Sequence, residues 1–263
     1  MKIRACAVAG MFYPSDPSHL EQLLESFFAA AKPGGQNPAG IVSPHAGYVY
    51  SGQVAASAFA ALDPSFSGTF VIIGPSHHGY LTSVSAIPWE TPLGIVDPDT
   101  EFIGALGIPV DEVSHTGEHS IEVQVPFIRY RFPRSRIVPI MMGRQDIGSA
   151  GHLAEAVSAA ILATKRDVRI VASSDFSHYV PAEKARSDDL YAIEALQTLD
   201  VNGFYRRIAE RGVSACGYGP ISAMVMAAGR LGAEKAELIR YATSGDVTGD
   251  NREVVGYAGI AVI

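Results

Sequence analysis

The chain predicts an α/β fold: a single domain over residues 1–263 with a largely parallel central sheet flanked by helices. Three observations predict it. Short apolar runs rich in valine and isoleucine alternate with amphipathic or alanine-rich stretches. Hydrophobic residues make up 48% and charged residues 18%, the balance of a chain that buries a full core. No linker, repeat or low-complexity segment divides it.

The first helix lies in "SDPSHLEQLLESFFAAA", where Leu20, Leu23, Leu24, Phe27 and Phe28 recur at helical spacing behind Ser15, Asp16 and Pro17, and "KPGGQNP" ends it. "AGIVSPHAGY" is a short buried strand running into a loop, and "SGQVAASAFAALD" is an alanine-rich helix. The same plan recurs in "GTFVIIGPSHHG" and "VRIVASSDFSHY", each a β-branched run that breaks into a polar, histidine-containing loop. "RIVPIMMG" is a further strand, and helices are expected near 148–164, 183–198, 202–211 and 217–231. "AELIRYATSGD" and "REVVGYAGIAVI" are two strands able to pair across a Gly/Asp-rich turn.

Composition excludes whole function classes. The net charge is -7 and no window gathers lysine and arginine into a stripe, so the electrostatic footprint of a nucleic-acid binder is missing. No uninterrupted apolar run approaches the ~18 residues of a membrane-spanning helix, and Gly10 and Pro14 interrupt the short apolar start that a secretory leader would need. Two distant cysteines, Cys6 and Cys216, form no disulfide framework, and a reducing cytoplasm is the expected compartment. The glycine-rich phosphate loops, the GxSxG elbow and the HExxH helix are all absent.

In an open α/β sheet, ligands bind beyond the carboxyl ends of the strands. His45, His77, Asp175 and His178 each follow an expected strand, so side chains far apart in sequence are placed to converge. One such histidine is commonly just a solvated loop group; four at equivalent positions point to a site. His78, adjacent to His77, is expected beside the site and not in it, and His19 and His152 are expected in solvent. "HTGEHSIEVQVPF" supplies His115, Glu118, His119 and Glu122; it reads either as a capped helix start or as a segment through which Glu118 or His119 lines the cleft. Cys216 is expected to open a helix, where the dipole favours a thiolate; its plain alternative is a small buried hydrophobe.

Read in order, "PHAGYVYSG", "GPSHHG", "EHSIEVQVPF", "SSDFSHY" and "ACGYGP" resemble the Memo family, known in animals as a mediator of receptor-driven cell motility and in prokaryotes as protein B of the AmmeMemoRadiSam system. The resemblance runs from "AGMFYP" to the final "YAGIAV". That family is similar in fold to class III extradiol ring-cleaving dioxygenases, whose iron is held by two histidines and a glutamate. The resemblance implies His45, His77 and Cys216 as metal ligands, with Asp175 and His178 as additional cleft residues. A thiol stands where the dioxygenases have a carboxylate, so ring cleavage does not follow from the fold.

The leading expectation is therefore an iron- or copper-dependent oxidoreductase acting on a small molecule. In it His178 is general acid/base, and Asp175 orients it or binds substrate. Two rivals stand beside it. One is a non-catalytic scaffold that uses the cleft for a peptide or for a partner from the AmmeMemoRadiSam system; the other is a zinc-dependent hydrolase.

Overall fold

The computed structural model describes residues 2–32 and 37–263. The elements are α1 (Pro17–Ala30), β1 (Gly40–Ser43), α2 (Tyr48–Phe59), β2 (Thr69–Pro75), β3 (Ser83–Val84), β4 (Trp89–Thr91), β5 (Gly94–Val96), α3 (Thr100–Leu106), α4 (Glu112–His115), α5 (His119–Glu122), α6 (Val125–Arg131) and β6 (Arg136–Met142). They continue as α7 (Ile147–Thr164), β7 (Val168–Ser173), β8 (His178–Val180), α8 (Ala182–Leu196), α9 (Val201–Arg211), α10 (Tyr218–Arg230), β9 (Ala236–Thr243), α11 (Gly245–Thr248) and β10 (Val254–Val262). Helix starts follow from local chemistry: the carboxylates of Asp16, Asp146 and Asp200 accept the N–H groups of His19, Ser149 and Gly203, satisfying donors that the first turn leaves free. The Gly-Gly expected to end α1 lies outside the described residues, and the helix is already capped at Ala31.

The sheet order is β3-β6-β2-β7-β1-β10-β8, with β9 on β10. Its centre is parallel: β6 with β2, β2 with β7, and β7 with β1. Its flanks are antiparallel, and β9 and β10 pair from Gly256↔Thr243 to Val262↔Ala236, as the two C-terminal runs suggested, with α11 in the turn between them. Alternation along β2 feeds two cores: Phe70 and Ile72 join the side packed by α1, α2 and α6, whereas Val71 and Ile73 join the side packed by α7 and α10. Each such fully buried side chain contributes roughly 1.5–3 kcal/mol of transfer free energy.

By length and composition α7 alone among the described helices could cross a bilayer. It packs Ala150, Leu153, Ala154 and Val157 into the core beside α10 and α3. The topology also fixes where the site falls. In chain order β7 is the last of the four parallel strands, yet it inserts between β2 and β1, so the loops after β1, β7 and β2 leave the sheet side by side.

Candidate metal centre

Those three loops carry His45, Asp175 and His77, each two residues past its strand. They line one cavity of about 680 Å³ together with His119 and His178. Cys216 arrives from the segment before α10: one ligand atom from each of His45, His77 and Cys216 lies within 4.8 Å of the others.

The hydrogen bonds set the form of each imidazole. Ser173 Oγ donates to the Ser120 carbonyl (2.6 Å) and accepts from the side-chain amide of Gln124 (2.8 Å). Its remaining contact, with His45 Nδ1 at 2.9 Å, is therefore one it accepts, so His45 carries its proton on Nδ1 and turns the Nε2 lone pair outward. That nitrogen lies 3.2 Å from Cys216 Sγ. Burial, reinforced by the His119 and His77 rings, holds His45 well below the ordinary imidazole value, so it stays neutral and free to ligate.

His77 is oriented by a carboxylate. Glu118 accepts the His77 backbone N–H (2.7 Å), His77 Nδ1 (2.8 Å) and the Ser120 N–H (2.9 Å). Burial alone would raise this carboxyl, but the bonds from the His77 side chain and the two backbone N–H groups hold it well below the usual carboxylate range. A carboxylate on Nδ1 leaves Nε2 as the ligating atom and raises its basicity. The His119 ring stacks on His77 at 4.4 Å between centroids, and burial with the His77 charge lowers it to about 4. His77, Glu118 and His119 form a second close donor group beside the first.

Close backbone approach brings these parts together. A Cβ on Gly217 would stand 2.3 Å from the Ser173 carbonyl, and one on Gly74 would stand 2.5 Å from Ser120 Oγ, so both positions need glycine for the Cys216 and His119 segments to seat against the strand ends. Cys216 departs from expectation. The helix opens at Tyr218 with Gly217 as its cap, so the thiol sits before the first turn and is not stabilised as an anion there. Burial, and then the Asp175 carboxylate, push the metal-free thiol upward.

Asp175 Oδ1 accepts the His45 N–H at 2.8 Å. Burial raises its carboxyl to about 6, partly opposed by that hydrogen bond. His178 is held by Ser214, whose hydroxyl accepts its N–H (2.8 Å) and whose carbonyl lies 2.9 Å from Nδ1; this, and not Asp175, fixes the ring. Beneath the same loop, buried Asp189 accepts from Ser177 Oγ (2.6 Å) and Tyr241 Oη (2.6 Å).

Asp189 is raised to about 6, chiefly by burial. A raised native value means that the folded state keeps a proton the unfolded state has lost, so its contribution is present below the unfolded value near 3.8 and fades as pH rises through 6. Relative to Asp189→Asn, the wild type should therefore gain about 2 kcal/mol between pH 7 and pH 4 in denaturant melts. A constant difference across that range would contradict the assignment.

The remaining candidates sort plainly. His119 lines the cavity and Glu118 lies buried behind His77, while His78 is exposed with Nε2 3.3 Å from the Gly117 carbonyl. His115 is buried away from the cavity beside Trp89, and Glu122 anchors the N-terminal segment. His19 and His152 face solvent. Sequence reasoning missed Ser173, Gln124 and Asp189, which read as loop or helix-surface polar residues.

The residues present fit a metal: two imidazoles each held through Nδ1, a thiol within reach, and an adjoining cavity with room for further ligands. The family model described as Memo-like protein matches residues 4–261. The chain is 47% identical over 266 residues to a MEMO1 family protein of Methanosarcina barkeri, covering 99% of this chain and 100% of that one. It is 44% identical over 273 residues to one of Methanothermobacter thermautotrophicus (97% and 99% covered) and 40% identical over 276 residues to one of Nitrosopumilus maritimus (99% and 100%).

Proposed function

From the premise that this chain belongs to the Memo family, we propose that His45, His77 and Cys216 hold an iron or copper ion with which the protein carries out redox chemistry on a small molecule. The observation that carries this reading is the second partner of each histidine. Ser173 on His45 and Glu118 on His77 each hold Nδ1, leaving both Nε2 atoms without such a partner and His45 Nε2 3.2 Å from the thiol, an arrangement that a merely structural pair of histidines does not need.

Two imidazoles and a thiolate are softer than two histidines and a carboxylate, which favours copper and zinc and tolerates iron. When bound, the metal supplies one-electron chemistry. The protein's own groups do the rest. Asp175, at about 6, exchanges a proton near neutral pH on the cavity wall. His178, half-buried in the same wall with Nδ1 held by Ser214, presents Nε2 as the general acid/base. The Cys216 thiol, raised in the metal-free protein, gives up its proton as the ion is taken up, so affinity rises with pH. Two free cysteines suit a reducing cytoplasm, where small-molecule substrates and proteins of the same system are the expected partners.

Elemental analysis of protein purified without oxygen tests the reading. Iron or copper near one equivalent supports it. Zinc in its place points to hydrolysis by the same donors, and no metal under any loading condition leaves a binding module.

A further inference from the structure

The cleft carries more information than its histidines. Four aromatic side chains line it, Phe12, Tyr50, Tyr179 and Tyr257. Tyr50 and Tyr179 are 42% and 74% exposed, so their rings stand at the mouth.

Tyr179 is there against its backbone preference. Val180 pairs with Val254 and His178 with Val255, so Tyr179 is an extra residue facing no partner at the register shift between β8 and β10. Its φ is +56°, the left-handed region, where such a bulge usually has glycine. The two bonds from His178 to Ser214 hold the segment in place beside it. Bulges redirect side chains near binding sites, and a bulky residue kept in a costly conformation at a cavity mouth points to use.

The charged side chains that line the cavity itself are carboxylates. Asp175, Asp250 and Glu253 line it, and among the described residues no lysine or arginine does. Asp250 is bonded to Arg252, which projects into solvent, whereas Glu253 makes no ion pair among the described residues. Ser244 and Thr248 add hydroxyls on the same rim. Aromatic faces and carboxylates both attract a cation, and carboxylates repel an anion.

We propose that this cleft selects an aromatic amine, a planar ring bearing a cationic ammonium group, and discriminates against the corresponding carboxylic acid. The inference builds on the reading of the cleft as a small-molecule site, and names the class of molecule. Glu253 supplies the charge preference, and Tyr50 and Tyr179 flank the ring.

Tyramine and 4-hydroxyphenylacetate share a ring and differ in charge, so they are the probes. Their affinities for the purified full chain, both as isolated and after removal of metal with a chelator, can be measured by ligand-observed NMR. Metal-stripped protein is expected to bind tyramine at least tenfold more tightly than the acid, and Glu253→Gln should narrow that ratio. Tyr179→Gly should weaken tyramine tenfold or more while the melting temperature holds or rises, because glycine fits the left-handed backbone. Equal affinities, a preference for the acid, or no binding of either overturns the proposal. So does a Tyr179→Gly variant that melts lower yet binds unchanged. Stoichiometric metal with no preference between probes would sink this inference alone, whereas tyramine selectivity in a protein that takes up no metal would sink the metal reading alone.

Discussion

Replacing Glu122 with alanine is expected to lower stability by about 3–5 kcal/mol, the usual cost of stranding one member of a buried ion pair. Glu122 is 1% exposed and accepts from Arg4 Nη1 (2.6 Å), Tyr13 Oη (2.7 Å) and the backbone N–H groups of Ala7 and Val8 (both 2.9 Å). Alanine leaves a guanidinium that is 5% exposed without its counter-charge and orphans two buried or half-buried N–H donors. Arg4 also donates to the carbonyls of His115 (2.7 Å) and Glu118 (2.9 Å), so the loss reaches the residue that orients His77. Denaturant unfolding of Glu122→Ala, Arg4→Met and the double variant Arg4→Met with Glu122→Leu forms the test. The double variant should recover much of the loss, because it removes both charges together. A single-variant loss below about 1 kcal/mol would show that the pair is not buried in solution.

The second large effect is on metal. Cys216→Ser is expected to weaken copper(I) binding by more than the 10–100-fold typical of partners one shell further out, while melting of the metal-free protein changes little. Cys216→Glu restores two histidines and a carboxylate and should shift preference towards iron(II) where the longer side chain fits. The burial that raises the thiol adds a second expectation: iodoacetamide should modify Cys216 slowly at neutral pH in the metal-free protein. If wild type and both variants bind copper(I) and iron(II) alike under anaerobic conditions, Cys216 is a small buried thiol and no ligand.

The strand-end loops were legible because a β-branched run that stops at a polar histidine loop is a local pattern with a topological meaning. His45, His77 and Asp175 could therefore be placed before the strand order was known. The hydrogen-bond frame behind them could not. Ser173 and Gln124 acquire their roles only when β7 and the turn after α5 are brought against β1, and Asp189 looks like a surface residue of an acidic helix until β10 covers it. The segment 83–131 was mostly missed, since β3, β4, β5 and four helices of four to seven residues are too short to show a period. The expected thiolate at Cys216 failed because the helix starts at Tyr218 with Gly217 as its cap, which leaves the thiol outside the first turn and burial to decide.

The position of β1 has a consequence in time. It is bracketed by β7 and β10, and its His45 meets a thiol 171 positions downstream. On a ribosome adding about 5–20 residues per second, His45 emerges about ten seconds or more before Cys216, and the strand that closes the sheet is made last. For that interval His45 and His77 stand on the loops after β1 and β2 without the thiol that the finished fold brings beside them. The candidate donor set is therefore complete only once Cys216 has been made, and β1 gains its second neighbour only when β10 follows.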